Sequence, residues 1–278
     1  MTHPRDELAH ITRSLRDFVD VQRILQEGGQ IPSEGARVGS APPTRARPIA
    51  ARQAPAPAAR VAAPRTSTPA PPPAATVVHP WQRDPAGLRT MGELHDSFAG
   101  CHRCPLGKSR TNFVFGVGNP EATMMLVGEA PGRDEDEQGE PFVGRAGQLL
   151  NKILAAIQFR REDVYIANIL KCRPPGNRNP EADEIASCEP ILRRQIELVR
   201  PVILCTLGSF AARTLLGTTS GITRLRGKVH DYRGIPVVPT YHPAALLRNP
   251  SWKRDTWEDV KLLRREHDRL VAERRSSS

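Results

Sequence analysis

Four cysteines are spaced as ligands. Cys101-His102-Arg103-Cys104 is a C-x2-C knuckle, Cys172 follows after 67 intervening residues, and Cys188 after a further 15. Such a set places thiolates on a loop, a strand end and a helix. Thiolates suit Zn²⁺ or an iron–sulfur cluster, and the spacing does not separate the two. Four reduced thiols with no metal are the plainer alternative. Cys205 differs: within Val202-Ile203-Leu204-Cys205-Thr206-Leu207 it has the surroundings of a small core residue.

A second set suits a flat, polar, ring-shaped ligand. Gly128-Glu129-Ala130-Pro131-Gly132 follows an apolar run and offers backbone amides on a tight loop. Phe142 supplies an aromatic plate, Asn168 an amide inside an apolar run, and His242 a ring donor in Tyr241-His242-Pro243. Each has an ordinary reading: turn chemistry for the loop, a satisfied core amide for Asn168, a structural histidine before proline for His242. Taken together they form a constellation of an aromatic plate, an amide reader, a histidine and a tight backbone loop.

The elements that must position these residues are legible as patterns. Strand-like runs lie at 124–128, 164–170 and 202–207, and helical patterns at 146–157 and 182–199. Alternation of this kind predicts a parallel sheet with crossover helices, with the site outside the carboxyl ends of the strands. A short helix is expected at 209–216 with Ser209 as a possible N-cap, a hairpin at 227–241 turning at Arg233-Gly234, and a charged last helix at 252–272.

Composition separates the rest of the chain. Between residues 41 and 75, Pro and Ala make up 23 of 35 residues, and no Asp or Glu occurs between Glu34 and Asp84. Such a stretch has too little apolar surface to offset its ordering entropy. It reads as a disordered basic linker over 29–89. Before it, Leu8, Ile11, Leu15, Phe18, Val21 and Leu25 form one apolar helical stripe, so residues 1–28 read as an amphipathic helix. That helix either packs on the main domain or docks an unknown protein partner from its tether. The folded domain is expected at 90–273, with a flexible tail at 274–278. The net charge of +10 points to an anionic partner, nucleic acid first. No run approaches the length of a membrane span, and the opening residues carry no apolar stretch. The expectation is therefore a protein with no membrane association, in a reducing compartment.

The motifs resemble those of the family 4 uracil-DNA glycosylases, the iron–sulfur type. The resemblance covers about residues 101–248. It rests on Gly128-Glu129-Ala130-Pro131-Gly132, on Pro141-Phe142-Val143-Gly144-Arg145-Ala146-Gly147, on Asn168 with Cys172-Arg173-Pro174-Pro175, and on His242-Pro243-Ala244-Ala245-Leu246-Leu247-Arg248. Related enzymes that form a covalent adduct carry a basic insert with a reactive histidine after the Asn strand, and residues 171–180 hold none. The resemblance implies a three-layer α/β/α sandwich around a four-stranded parallel sheet. It also implies a structural [4Fe–4S] cluster on Cys101, Cys104, Cys172 and Cys188, with no ligand role for Cys205.

Further implications concern the reaction. The substrate would be uracil in DNA, flipped out of the stack and hydrolysed from its sugar, which is the first step of base excision repair. Glu129, Ala130 and Pro131 would contact the uracil, Phe142 would stack on it, Asn168 would read its O4 and N3–H, and His242 would donate to O2. The best-known uracil glycosylases place an Asp where this chain has Ala130, so Glu129 and Glu135 are the candidates for positioning water. Leu246 or Leu247 would wedge into the duplex. Arg248, Lys171, Arg173 and Arg178 are phosphate contacts or else solvated surface charge. The enzyme would act as a monomer in the cytoplasm, associated with the nucleoid. The alternative is a non-catalytic nucleic-acid-binding protein on the same scaffold.

Overall fold

The computed structural model describes residues 79–277. The helix expected in residues 1–28, and the linker up to residue 78, lie outside the described residues. Within them are six strands: β1 (Val117–Gly118), β2 (Met124–Gly128), β3 (Tyr165–Asn168), β4 (Ile203–Leu207), β5 (His230–Tyr232) and β6 (Ile235–Thr240). The α-helices are α1 (Met91–Phe98), α2 (Leu106–Ser109), α3 (Arg133–Gln138), α4 (Arg145–Ala156), α5 (Ala182–Val199), α6 (Ser209–Leu216), α7 (Ile222–Leu225), α8 (Pro243–Arg248) and α9 (Lys253–Ser276).

The strands form one sheet in the order β1-β3-β2-β4-β6-β5. β3, β2, β4 and β6 run parallel, while β1 and β5 pair antiparallel at the two edges. The sheet is therefore six-stranded and mixed rather than four-stranded and wholly parallel. β5 is the first arm of the hairpin over 227–241, folded back onto β6. Its turn takes Arg233 at φ 54° and Gly234 at φ 82°, the positive values that a tight two-residue hairpin requires. β1 has only two residues, too few to show as a sequence pattern.

Both faces of the parallel strands are covered, which is why they read as continuous apolar runs. Met125, Val127, Tyr165, Ala167, Leu204 and Val237 pack with α1, α5 and α6 through residues such as Leu94, Phe98, Ile191, Ile196 and Leu215. Met124, Leu126, Ile166, Ile203, Cys205 and Val238 face the other way, onto Leu150 and Leu154 of α4 and Val260 and Leu263 of α9. The result is three layers. The carboxyl ends of all four parallel strands open onto the same side, into the loops at Glu129, Ile169, Gly208 and Tyr241.

Three boundaries differ from expectation. Residues 79–89 belong to the domain rather than to the linker. They form 3₁₀ turns at Pro80–Gln82 and Pro85–Gly87, and Trp81 and Leu88 pack on the core. Arg103 Nε donates to Trp81 O at 2.7 Å and Arg194 Nε to Leu88 O at 2.8 Å. Two apolar anchors in a proline-rich stretch do not alter its composition enough to show. The last helix extends through Ser276, so the tail expected from 274 is largely helical. Gly208, at φ 94°, is the N-cap of α6, and Ser209 is its first residue.

α9 is fastened to β6 by a buried carboxylate. Asp259 is fully buried. It accepts from Arg226 Nε and Nη2 at 2.9 and 3.0 Å and from Thr240 Oγ1 at 2.8 Å. Removing one member of such a pair strands the other without compensation, at a cost of about 3–5 kcal/mol. Asp259→Ala is therefore expected to lower the midpoint of thermal unfolding by several degrees, read by circular dichroism. A midpoint unchanged within a degree would show that α9 is held by apolar packing alone.

Candidate active site

The loops at the strand ends enclose a cleft of about 580 Å³. Glu129, Ala130, Pro131, Phe142, Asn168 and His242 all line it. The residues singled out from sequence thus meet in one place, from three different strand ends and one crossover loop.

Asn168 is the last residue of β3 and is 2% exposed. Its Oδ1 is buried with no hydrogen-bond partner. A buried acceptor left unmade costs about 1–3 kcal/mol, so this carboxamide is not a satisfied core amide. Gly128, opposite Asn168 in the ladder, makes room for it. A Cβ there would lie 2.3 Å from Asn168 Oδ1 and 2.6 Å from Phe142 Cζ. The amide and the aromatic ring therefore converge over a strand end that has no side chain.

Phe142 is held in a costly backbone conformation, φ 55°. Arg161 keeps it there, donating from Nη1 to Phe142 O at 3.1 Å and from Nη2 to Pro141 O. Gly147 is needed beneath it, since a Cβ at that position would come within 1.8 Å of Phe142 O. The ring stands 5.5 Å from the His242 ring, tilted by 31°.

His242 caps α8, with Pro243 at the first helical position. Its Nδ1 accepts from Ala244 N at 3.1 Å, so the neutral ring carries its proton on Nε2. Burial holds the imidazole down to about 4, and the Arg248 guanidinium pushes the same way. His242 is thus a neutral N–H donor at physiological pH.

The two acidic candidates separate cleanly. Glu135 Oε1 accepts from Val143 N and Gly144 N, both at 3.0 Å, and Oε2 from Gly132 N at 3.1 Å. Both oxygens are engaged in tying the loop at 132 to the loop at 143–144. Glu129 has no side-chain hydrogen bond among the described residues, and burial raises its carboxyl above the ordinary range.

The basic and apolar candidates also divide. Leu246 is 1% exposed and packs with Leu149 and Tyr241, whereas Leu247 is 40% exposed. Arg248 is exposed at the end of α8 and lines the cleft. Lys171 is fully buried, so it is not a phosphate contact; its Nζ donates to Asn168 O at 2.9 Å and to Gln195 Oε1. Arg178 lines the cleft but is paired bidentately with Glu184 at 2.6 and 2.9 Å. Arg173 Nε donates to Asn177 Oδ1 at 2.7 Å. Sequence reasoning missed Arg161, whose role depends on a chain crossing that no periodicity reports. It also missed Trp252, which stacks on Tyr241 at 4.6 Å and lines the cleft beside Arg248.

The four ligand-spaced cysteines gather on one face of the sheet. Cys101, Cys172 and Cys188 are buried in the core layer of α1 and α5, with Cys104 packed against them. Burial, reinforced by the neighbouring thiols, raises Cys104 and Cys172, and takes Cys188 up to about 12. Two donors already point at sulfur: Arg110 Nη1 to Cys172 Sγ at 3.1 Å and Lys171 N to Cys188 Sγ at 3.3 Å. Among the described residues no three His, Cys, Asp or Glu side chains are grouped to hold a single metal ion. Cys205 lies on the opposite face, in the layer of α4 and α9.

The model of the uracil DNA glycosylase superfamily matches residues 115–261, just over half of the 278 residues. The chain is 44% identical over 182 residues to the type-4 uracil-DNA glycosylase of Archaeoglobus fulgidus, covering 63% of this chain and 92% of that protein. It is 46% identical over 164 residues to the type-4 enzyme of Thermotoga maritima, covering 58% and 85%. Similarity to the type-5 uracil-DNA glycosylase of Pyrobaculum aerophilum is lower, 35% over 150 residues, or 48% and 66%. On that pattern of identity, and with the cleft assembled as described, the chain belongs to the type-4 uracil-DNA glycosylases.

Proposed function

We propose that this protein flips uracil out of DNA and hydrolyses its N-glycosidic bond, leaving an abasic site. The observation that carries the reading is the Asn168 carboxamide, buried in the cleft wall with its oxygen unpaired, beside an aromatic ring and a neutral imidazole donor. A uracil edge offers the N3–H that Oδ1 lacks and an O4 for the amide N–H. Cytosine presents the reverse pattern.

Phe142 stacks on the flipped base. As the C1′–N1 bond breaks, its electron pair moves into the uracil ring, and His242 Nε2–H donates to the developing charge on O2. This is the physics of an oxyanion hole, with a donor that is neutral throughout. The sugar becomes oxocarbenium-like and is attacked at C1′ by water. Glu129 is the carboxylate available to orient that water and take its proton, because both oxygens of Glu135 are engaged by amides. Leu247 is the wedge that replaces the flipped nucleotide in the stack, because Leu246 is part of the core. Arg248 contacts phosphate beside it.

A [4Fe–4S] cluster fits the thiol set. Each iron of a cubane takes one thiolate, so the ligands surround a body rather than a point. Cys101, Cys104, Cys172 and Cys188 come from three separate segments of one layer, and N–H groups of Arg110 and Lys171 face two of the sulfurs, as anionic sulfur favours. The group supplies cross-linking here, since N-glycosidic hydrolysis transfers no electrons. We also read the enzyme as a monomer acting on chromosomal DNA in the cytoplasm. No helix among the described residues is long and apolar enough to cross a membrane.

The direct test is incubation with a uracil-containing oligonucleotide, followed by alkaline cleavage of abasic sites. Cleavage at the uracil position supports the reading, and an intact strand with tight binding supports the non-catalytic alternative. Asn168→Asp keeps the shape but removes the amide donor. Uracil excision is expected to fall by as much as ~10⁴-fold, with folding and iron content unchanged. A rate within a few-fold of the parent would make Asn168 a structural residue.

The pH profile follows from the two shifted groups. His242 is neutral from about pH 6 upward and contributes no limb there. Glu129, raised by burial, gains its proton as pH falls, above the range of an exposed carboxylate, and the rate is lost with it. Single-turnover rates should therefore be flat through neutral pH and fall on the acid side. Glu129→Gln should cost about 10²-fold and leave a residual rate without that acid limb. An unchanged limb in the variant would assign it to another group.

A further inference from the structure

The outer edge of β3 is interrupted where Asn168 sits. β1 pairs Val117 with Ile166 and Gly118 with Tyr165. Continued in that register, Phe115 stands opposite Asn168. The ladder does not continue, because Gly116 takes φ 148°, and a Cβ there would lie 2.8 Å from the Tyr165 hydroxyl. Backbone contact resumes only at Val114, whose N–H donates to Lys171 O at 2.9 Å.

The break leaves the Phe115 and Asn168 carbonyls without backbone donors, and two acceptors cannot pair with each other. Two side chains fill the gap. Gln195 of α5 donates from Nε2 to Phe115 O at 3.0 Å and accepts at Oε1 from Lys171 Nζ. Lys171 Nζ also donates to Asn168 O at 2.9 Å. Gln195 Nε2 reaches the Tyr165 hydroxyl as well, at 3.2 Å. Both residues are 0% exposed. A buried amine costs more than an apolar chain of the same volume, so space-filling does not account for lysine here. A missing donor opposite the Asn168 carbonyl does.

We propose that Lys171, braced by Gln195, is a positioning residue for base recognition, substituting for the absent strand and holding the Asn168 main chain so that its carboxamide faces the cleft unpaired. The inference rests on the reading of Asn168 as the residue that contacts the base. Lys171 touches no substrate in this scheme; it acts through Asn168 alone.

The test is a double-mutant cycle on the full chain, with single-turnover uracil excision at saturating enzyme, affinity for abasic DNA, and iron content measured for each variant. Lys171→Met preserves volume and removes the donor. Excision is expected to slow by roughly 10- to 100-fold, the scale of a small misplacement at a reacting centre. Iron content and abasic-DNA affinity should stay within a few-fold of the parent. In an Asn168→Ala background, Lys171→Met should cost nothing more, since its effect passes through the missing amide. A parental rate for Lys171→Met, or the same extra loss in both backgrounds, overturns the proposal. A parental rate for Asn168→Ala overturns the base-contacting role itself. Should Lys171→Met be insoluble, Gln195→Met carries the same cycle by breaking the strut at its other end. Loss of soluble protein from both assigns the pair to folding and overturns the proposal.

Discussion

A polar atom deliberately left unpaired at the end of a buried strand sets the terms for this protein. Asn168 Oδ1 has no partner, and an amide in that state would ordinarily rotate or draw in a neighbour. Here it is instead packed against Gly128 and close to the Phe142 ring. Gly128 removes the side chain that would separate it from Phe142, and Gly147 removes the one that would displace the Phe142 carbonyl. Arg161 holds Phe142 at a positive φ that costs about 1–3 kcal/mol. Local strain of this size persists only where surrounding contacts over-determine it. Here they do so from the end of β2, the start of α4 and the turn before β3.

The electrostatics of the site run against the charge of the chain. The protein is strongly basic, yet the cleft holds a neutral imidazole and a desolvated carboxylate. Many arginines serve instead as internal struts to backbone carbonyls. Arg103 reaches Trp81 O, Arg110 reaches Ala99 O and Cys101 O, Arg161 reaches Phe142 O, Arg194 reaches Leu88 O, and Arg264 reaches Ile157 O. A guanidinium with five donors in a rigid fork can close several loop carbonyls that no ladder satisfies. The basic excess is therefore only partly a footprint for DNA. The exposed share near the cleft centres on Arg248, next to the exposed Leu247.

What was legible in the sequence was what local pattern encodes. β2, β4 and α5 fall within a residue of their apolar runs because a strand buried on both faces, or a helix with one buried stripe, has a distinctive spacing. The pocket residues were legible because Phe142, Asn168 and His242 are chemically out of place among their neighbours. The choice between Glu129 and Glu135 was not legible, since it turns on which carboxylate meets backbone amides from a loop eight residues away. Nor was the choice between Leu246 and Leu247, adjacent residues of one type on a six-residue helix. Lys171 was misread as surface charge because a lysine beside Arg173 looks basic and exposed, and only the interruption of β1 makes a buried amine necessary. The edge strand β1 and the packed turns at 79–89 escaped because two or three residues carry no period.

The arrangement also explains why a hydrolase would carry a metal cluster. The layer that holds the four thiols is built from short pieces: the loop between α1 and α2, the extension of β3, and one turn of α5. These pieces have few regular hydrogen bonds to one another, so a cross-link contributes there what a ladder contributes elsewhere. The extension of β3 is the piece that matters for chemistry. Ile169 and Leu170 continue the ladder onto Gly128 O and Glu129 O, Lys171 braces Asn168, and Cys172 follows at once. Asn168, the Leu170 amide that holds the Glu129 backbone and a thiol of the ligand-spaced set thus lie within five consecutive positions. A cluster anchored at Cys172 would limit how far Asn168 and Glu129 can shift relative to each other when a nucleotide enters the cleft.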